Sequence, residues 1–157
     1  MHVNPKRMIL LIEDNPDHAE LLKRSFARYS PDTAILHLWD GEEALDYLFC
    51  KGAYAQNGDR PLPDLILLDL KLPKIDGLQV LKRIKAAESL RAIPVVMLTS
   101  SDTEKDILKA YKLNVNSYLV KPVDFNRFLD LARELGLYWF RWNKRPPAPK
   151  SFIKDNE

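Results

Sequence analysis

Short apolar runs alternate with helix-periodic segments along most of the chain. Five of these runs have the length of buried strands, and they lie at 8–12, 34–38, 65–68, 95–98 and 117–120. Apolar residues at helical spacing predict five helices that follow them, at 16–29, 40–49, 77–87, 102–113 and 125–142. Strands that alternate with helices form parallel sheets with right-handed crossovers. The pattern therefore predicts an α/β domain, a doubly wound five-stranded parallel sheet with five helices.

Polar side chains follow four of the five predicted strands. In strand order they are Glu13 and Asp14, then Asp69, Thr99 and Lys121. Because the carboxyl ends of parallel strands meet at one edge of a sheet, these side chains are expected to converge. Carboxylates at that range all stay ionised only where a cation compensates them. The pattern therefore predicts a site for a hard divalent ion, Mg²⁺ with Mn²⁺ as an alternative, beside an ammonium group and a hydroxyl.

This set of residues, in this order and at this spacing, resembles the receiver domain of two-component response regulators. The resemblance covers about residues 6–136 and implies a flavodoxin-like fold with strand order 2-1-3-4-5. It also implies a single-domain response regulator that accepts a phosphoryl group from a histidine kinase on Asp69. Such a phosphoacceptor is a signalling protein, and the only reactions that it catalyses are its own phosphorylation and dephosphorylation.

The carboxylates are interpreted as the metal site. Asp14 and Asp69 are the direct ligands together with the backbone carbonyl of Lys71, and Glu13 acts mainly through water. Asp69 is also the nucleophile, because a carboxylate can attack a phosphoryl group to form an aspartyl phosphate. Phosphatases of the haloacid dehalogenase type share this arrangement but carry a second Asp at the position of Lys71. An aspartyl-phosphate hydrolase is therefore the weaker, enzyme-class alternative.

Two further groups are predicted to bind phosphoryl oxygens. Thr99 donates a hydrogen bond to one oxygen, and Lys121 pairs with another. The resemblance implies that Thr99 and Tyr118 form a switch, in which Thr99 moves toward the phosphoryl group and Tyr118 rotates inward. It also implies a cis peptide bond between Lys121 and Pro122, which aims the lysine into the site.

Composition and charge predict a separate carboxyl-terminal tail and a cellular compartment. The 157 residues carry 24 Lys and Arg against 22 Asp and Glu, and the basic surplus lies near the carboxyl end. We predict a receiver domain at 1–142 and a basic, Pro-rich tail at 143–157, without the recognition helix that a nucleic-acid partner would need. No run reaches the ~20 apolar residues that span a bilayer, and Cys50 is alone, so a cytoplasmic protein without a membrane partner is expected. The histidines are scattered, so none is expected beside the acidic cluster and none is assigned a ligand role; they are His2, His18 and His37.

The last predicted helix carries more apolar surface than packing on the sheet requires. The face expected to cover the sheet consists of Phe128, Leu129, Ala132, Leu135 and Trp139. Three large side chains flank that face and widen it, namely Leu131, Tyr138 and Trp142. A wide apolar stripe on a surface helix is typical of a partner surface. We therefore predict a homodimer interface formed by Leu131, Tyr138, Trp139 and Trp142.

The chain also resembles a subgroup of receivers. Its long connection at 51–63, the turn at 73–77 and the aromatic last helix are similar to stand-alone receivers that serve bacterial and cyanobacterial phytochrome kinases. This resemblance implies a phytochrome-type histidine kinase as partner in light signalling. The alternative is a constitutive dimeric interaction module whose phosphorylation site is a relic. The sequence leaves open the kinase, the input signal, the downstream target, the phosphoryl lifetime and the direction in which phosphorylation shifts dimerisation.

Overall fold

A five-stranded parallel sheet forms the centre of the molecule. The structure is a computed structural model that describes residues 7–56 and 61–147. The strands are β1 at Arg7–Ile12, β2 at Thr33–Leu38, β3 at Leu65–Leu68, β4 at Val95–Thr99 and β5 at Ser117–Val120. Their order in the sheet is β2-β1-β3-β4-β5, and every neighbouring pair is parallel. The predicted fold class and strand order are confirmed.

Within residues 7–56 and 61–147, five α-helices connect or follow the strands, as the sequence predicts, and a short 3-10 helix lies at Gly52–Tyr54. The α-helices are α1 at Pro16–Tyr29, α2 at Gly41–Leu48, α3 at Gly77–Ala86, α4 at Glu104–Lys112 and α5 at Phe125–Gly136, and a π-helical segment at Leu137–Trp142 continues from α5. Each α-helix begins after a polar residue whose side chain accepts backbone N–H groups of the first turn, and these caps are Asn15, Asp40, Asp76, Thr103 and Asp124. The helix starts are therefore set by local sequence.

Both faces of the inner strands are covered by helices. One face packs against α1 and α5, through side chains such as Leu22, Phe26 and Phe128. The other face packs against α2, α3 and α4, through side chains such as Leu48 and Ile84. Burial on both faces explains why β1, β3 and β4 read as unbroken apolar runs in the sequence.

The last helix departs from its prediction after Gly136. A π-helical turn is wider than the α-helical turn assumed in the sequence projection, so the side chains beyond Gly136 point in shifted directions. Trp139 and Phe140 are both buried against the core, whereas Tyr138 and Trp142 are exposed. Trp139 thus lies on the core side as the projection predicts, whereas Phe140 is an additional core residue and Trp142, predicted to flank that face, is exposed.

The end of the described chain lies near the start of β3. The guanidinium of Arg145 is 2.9 Å from a carboxylate oxygen of Asp64, which precedes that strand. Residues 148–157 of the predicted tail lie outside the described residues, and so do His2 and residues 57–60 of the long connection. Among the residues that the structure describes, no helix is long and apolar enough to cross a membrane.

Candidate functional site

An open cleft lies at the carboxyl edge of the sheet. Its volume is about 240 Å³, and the residues around it are Glu13, Asp14, Asn15, His18, Asp69, Lys71, Thr99, Ser100 and Lys121. The cleft contains every residue that the sequence predicts to bind a metal ion or a phosphoryl oxygen. These residues lie at or just after the carboxyl ends of β1, β3, β4 and β5, which run in one direction and therefore end at the same edge.

Three carboxylates form the acidic part of the cleft. Glu13, Asp14 and Asp69 each offer one oxygen, and these oxygens lie within 4.8 Å of one another. Glu13 and Asp69 are buried, while Asp14 is exposed to solvent. Converging carboxylate oxygens with one side open to water suit Mg²⁺, which keeps several of its own waters. The acidic cluster is therefore compatible with Mg²⁺.

The ammonium group of Lys121 neutralises the buried carboxylates. It donates hydrogen bonds to Glu13 Oε1 at 2.7 Å and to Asp69 Oδ2 at 2.8 Å, and all three side chains are buried. The backbone N–H of Lys121 donates to the Thr99 carbonyl at 2.7 Å, which fixes the start of the lysine side chain. The predicted cis bond between Lys121 and Pro122 is wrong, because no peptide bond of the described residues is cis. Trans is the intrinsically preferred form, and the lysine reaches both carboxylates from it.

The two buried carboxyl groups have opposite pKa shifts. Burial and the adjoining Asp69 carboxylate raise the pKa of Glu13 to about 8. Burial also acts to raise the pKa of Asp69, but hydrogen bonds from Glu13 and Lys121 outweigh it and lower that pKa below its usual value. Asp69 is therefore the ionised member of the pair at neutral pH, and Glu13 carries the proton when no divalent ion is bound.

The predicted switch residues are linked through the loop that follows β4. Thr99 is buried, and its Oγ1 accepts the backbone N–H of Ser101 at 3.4 Å. The hydroxyl of Tyr118 donates to the Ser101 carbonyl at 2.8 Å, and the Ser101 hydroxyl donates to Asp106 Oδ2 at 2.5 Å. The partly buried Tyr118 ring on β5 is thus tied to the same loop as Thr99 and to α4.

His18 belongs to the cleft, which corrects the expectation that no histidine lies near the acidic cluster. Its Nδ1 is 3.0 Å from Lys121 Nζ and 3.4 Å from Glu13 Oε1. Burial and the neighbouring ammonium of Lys121 lower the pKa of His18, so the ring is neutral at pH 7. Its spacing carried the missing signal, because His18 is one helical turn after Asp14 and α1 begins at the end of β1. His37 contacts the same strand end differently, since its Nε2–H donates to the Glu13 backbone carbonyl at 2.8 Å.

The residues predicted to form a dimer interface lie in unlike environments. Tyr138 is 53% exposed and Trp142 is 75% exposed, and both belong to the π-helical segment. Leu131 is partly buried against the core, and Trp139 is only 8% exposed. Trp139 is therefore a core residue, as its place on the predicted sheet-covering face implies, and its second assignment, to the dimer interface, is corrected because its ring is buried.

The chain is similar to a family of known proteins over most of its length. The chain matches the family described as "Response regulator receiver domain" over residues 9–133. It is 48% identical over 139 residues to the probable methanogenesis regulatory protein FilR2 of Methanothrix harundinacea, which covers 88% of this chain and 87% of that protein. It is 37% identical over 145 residues to the response regulator Rcp1 of Synechocystis sp., with coverage of 92% of this chain and 97% of that protein.

Solved structures agree with the sequence comparisons. The phosphorylated cyanobacterial phytochrome response regulator RcpA has a TM-score of 0.84 at 36% identity, covering 89% of this chain and 98% of that chain. The Mn(2+)-bound form of Rcp1 has a TM-score of 0.83 at 36% identity, covering 89% of this chain and 99% of that chain. The resemblance therefore extends over nearly the full length of these proteins.

Proposed function

The chain belongs to the response regulator receiver family, and on that premise we propose that Asp69 accepts a phosphoryl group from a histidine kinase. The observation that carries this proposal is the Asp69 carboxylate, which is buried beside an open cleft and lies 2.8 Å from the Lys121 ammonium. A carboxylate whose pKa is lowered stays ionised and nucleophilic at neutral pH. The chain spans 87% and 97% of two regulators that it resembles, which supports a role as a single-domain regulator in two-component signalling.

The proposed reaction is a direct phosphoryl transfer. An Asp69 carboxylate oxygen attacks the phosphorus, the bond from phosphorus to the histidine nitrogen of the kinase breaks, and an acyl phosphate forms. Such a transfer depends on positioning and charge neutralisation more than on proton transfer. Lys121 and Thr99 are proposed to bind the phosphoryl oxygens. This is supported by the ion pair of Lys121 with Asp69 and by the buried Thr99 in the same cleft.

The acidic cluster is the proposed binding site for Mg²⁺ or Mn²⁺. Asp14, Asp69 and the backbone carbonyl of Lys71 would hold the ion, and Glu13 would act through water. The oxygen donors and the exposed position of Asp14 fit a hard, partly hydrated ion, and one form of the related Rcp1 is described as Mn(2+)-bound. When bound, the ion supplies positive charge that offsets the negative phosphoryl oxygens.

Phosphorylation is proposed to act on the interaction surface through Thr99 and Tyr118. The new phosphoryl group brings about −1.5 to −2 charges next to the Thr99 hydroxyl. Thr99 and Tyr118 both contact the backbone of Ser101, so a shift of Thr99 toward the phosphoryl group changes the support of the Tyr118 ring. That coupling would carry the phosphorylation state to the face formed by α4 and β5.

The test is phosphorylation by acetyl phosphate with Mg²⁺, followed by intact-protein mass spectrometry. Wild type is expected to gain the mass of one phosphoryl group, and Asp69→Asn is expected to gain none. Asp130→Asn is the matched control, because Asp130 is an exposed carboxylate on α5 whose ion pair with Arg133 is 3.9 Å long. Retained phosphorylation of Asp69→Asn would overturn the assignment, and loss of it in Asp130→Asn would point to a general structural defect.

The kinase is proposed to be of the phytochrome type. Two structures that align with nearly the whole chain belong to the phytochrome response regulator RcpA and to Rcp1. FilR2 is more identical in sequence, and its name connects it with methanogenesis. Phosphotransfer profiling compares the rates at which different histidine kinases phosphorylate the wild-type protein. A faster rate with a phytochrome kinase than with kinases that lack a chromophore would support the proposal. Preference for a kinase without a chromophore would place the protein in another pathway.

Further predictions stay as proposals. The proposed partners are a histidine kinase and a second copy of the chain. The two copies are proposed to meet through Leu131, Tyr138 and Trp142. No nucleic-acid partner is proposed. The receiver is proposed to occupy residues 1–142, followed by a tail at 143–157, and to act in the cytoplasm as a phosphoacceptor that turns over no other substrate. An aspartyl-phosphate hydrolase remains the weaker alternative, because Lys71 stands at the position of the second Asp.

A further inference from the structure

The Lys121 ammonium has three N–H donors, and the structure gives it three acceptors. Two are the carboxylate oxygens of Glu13 and Asp69, at 2.7 and 2.8 Å, and the third is Nδ1 of His18, at 3.0 Å. An ammonium group cannot accept hydrogen bonds, so the His18 nitrogen must be the acceptor and the ring proton must lie on Nε2. Glu13 and Asp69 carry a negative charge whenever they are ionised, whereas the neutral His18 ring accepts its hydrogen bond without one.

The His18 ring is held in place independently of Lys121. Its backbone N–H donates to the Asn15 side chain at 3.2 Å, within the cap that begins α1. Its ring stacks on the buried Phe128 ring of α5, with centroids 5.6 Å apart and an interplanar angle of 29°. The side chain is 31% exposed, so it lies between the core and the cleft. A fixed ring presents Nδ1 at a defined point, which is what a positioning residue requires.

Phosphorylation and metal binding together change two of the three acceptors of Lys121 and leave the third unchanged. When Asp69 becomes an acyl phosphate, one of its oxygens joins the phosphorus and its own negative charge is lost. Glu13 lies within the acidic cluster, so its interactions change when a divalent ion binds there. A neutral acceptor keeps its hydrogen bond without neutralising the ammonium, and the charge of Lys121 stays available to the phosphoryl oxygens.

We propose that His18 is a positioning residue for phosphoryl transfer, because its Nδ1 holds the Lys121 ammonium at the cleft while the Asp69 partner changes. This inference rests on the proposed function of Asp69. It assigns His18 no contact with the phosphoryl group and no part in proton transfer. Its effect is on the rate at which the assembled site reacts.

Two substitutions separate the acceptor of His18 from its ring. His18→Phe keeps an aromatic ring on Phe128 but removes the acceptor. His18→Asn removes the ring but keeps an oxygen acceptor close to the position of Nδ1. The donor is acetyl phosphate at saturating Mg²⁺, which bypasses contacts with a kinase. We expect the maximal phosphorylation rate of His18→Phe to fall about tenfold, and that of His18→Asn to stay within about threefold of wild type.

A second measurement follows Lys121 in the unphosphorylated protein. NMR of ¹⁵N-labelled lysine reports hydrogen exchange at the Lys121 ammonium, which is slow while its three donors are bonded. Hydrogen exchange at the Lys121 ammonium is expected to be faster in His18→Phe and to stay slow in His18→Asn. In the phosphorylation assay, the acetyl phosphate concentration that gives half the maximal rate should be unchanged in both variants. A role of His18 in folding alone would change thermal stability without this pattern.

The outcomes are distinguishable. If wild type is not phosphorylated at all, the proposed function of Asp69 fails, and the exchange measurement still decides whether His18 holds Lys121. If wild type reacts and His18→Phe reacts equally fast, or His18→Asn is as slow as His18→Phe, the positioning role is overturned. A defect seen with a kinase but absent with acetyl phosphate would make His18 a kinase contact and would also overturn the proposal.

Discussion

Glu13 and Asp69 both carry a carboxyl group, yet their pKa values are shifted in opposite directions in the cleft. Burial and the adjoining Asp69 raise the pKa of Glu13 to about 8. At Asp69 the raising effect of burial is outweighed by hydrogen bonds from Glu13 and Lys121, which lower its pKa. A proton shared by the pair therefore resides on Glu13, and the proposed nucleophile stays ionised before any cation binds.

The raised pKa of Glu13 predicts how Mg²⁺ affinity depends on pH. Below pH 8 the folded, metal-free protein holds a proton on Glu13, and a divalent cation must displace it, so affinity rises with pH and levels off above 8. The expected gain is at most about tenfold between about pH 7 and about pH 8.5, measured by isothermal titration calorimetry. Glu13→Gln removes the titrating group and should flatten the dependence. An affinity for wild type that does not change over this range would contradict the prediction.

Lys121 compensates two buried carboxyl groups, so its removal should cost stability before it affects chemistry. Lys121→Met keeps most of the side-chain volume but leaves the Asp69 charge uncompensated. We expect the free energy of unfolding in urea, with a chelator present, to fall by about 3 kcal/mol, and Mg²⁺ to restore part of the loss. The matched control is Lys74→Met, because Lys74 pairs with Asp40 and Glu42 at the surface. Its effect should be much smaller than that of Lys121→Met, because Lys74 is exposed to solvent, and equal losses in the two variants would refute this account.

The elements of the fold were largely readable from the sequence, and the exceptions have physical causes. Strand runs and capping residues such as Asn15 are local signals, so the strands, the helix starts and the convergence of strand-end residues could be predicted. The π-helical segment could not, because a projection at 3.6 residues per turn assumes α-helical geometry, which puts Trp142 beside the sheet-covering face although its ring is 75% exposed, and does not place Phe140 in the core. The position of His18 near the end of β1 could have been inferred from its place in the first turn of α1, but its contact with Lys121, in a distant part of the chain, is not revealed by periodicity.

Gly77 is the first residue of α3 and lies against the backbone that carries Asp69. Its N–H donates to the Leu70 carbonyl at 2.8 Å, and a Cβ at this position would overlap the Asp69 carbonyl oxygen and lie 2.8 Å from Leu70 Cα. Gly77→Ala must therefore move the backbone that carries Asp69, and we expect a loss of about 2 kcal/mol in unfolding free energy together with slower phosphorylation by acetyl phosphate.

Gly136→Ala provides the comparison for this prediction. A Cβ at Gly136 would lie 3.0 Å from the Ser30 hydroxyl, which can rotate away, and alanine favours the helix by about 1 kcal/mol. Its stability should change by less than about 1 kcal/mol and its phosphorylation rate should match wild type. A Gly77→Ala protein that is as stable and as reactive as Gly136→Ala would show that the loop after β3 yields without cost.

The molecule as a whole leaves large apolar side chains exposed at the end of its last helix. Tyr138 and Trp142 lie on the π-helical segment, and Leu137 beside them is also exposed. The same segment buries Trp139 and Phe140, so one short stretch both completes the core and presents an aromatic surface. The proposed homodimer uses that surface, and its stability can be separated from that of the fold.

Substitution of the tryptophans is expected to give three different results. Trp142→Ala should shift the protein toward monomer in size-exclusion chromatography with light scattering, without a large change in unfolding free energy, because its ring is 75% exposed. Trp139→Ala should lower the unfolding free energy by about 3 kcal/mol or more, because its ring fills the core. Trp39→Ala, an exposed tryptophan after β2, is the control and should change neither quantity. An unaltered dimer in Trp142→Ala would exclude this surface.

Phosphorylation control of the same surface decides between a switched receiver and a constitutive dimeric module with a relic site. Tyr118 contacts the loop after Thr99, and through that loop phosphorylation is proposed to act on the face formed by α4 and β5; the oligomeric state then reports whether that change also reaches the dimer surface. Beryllium fluoride with Mg²⁺ mimics the phosphoryl group. It should change the oligomeric state of wild type, measured as molar mass by light scattering, but not that of Asp69→Asn. Because both proteins keep Tyr138 and Trp142, a difference between them can come only from the occupied site. A dimer of equal strength in both proteins, with and without the mimic, would favour the constitutive module.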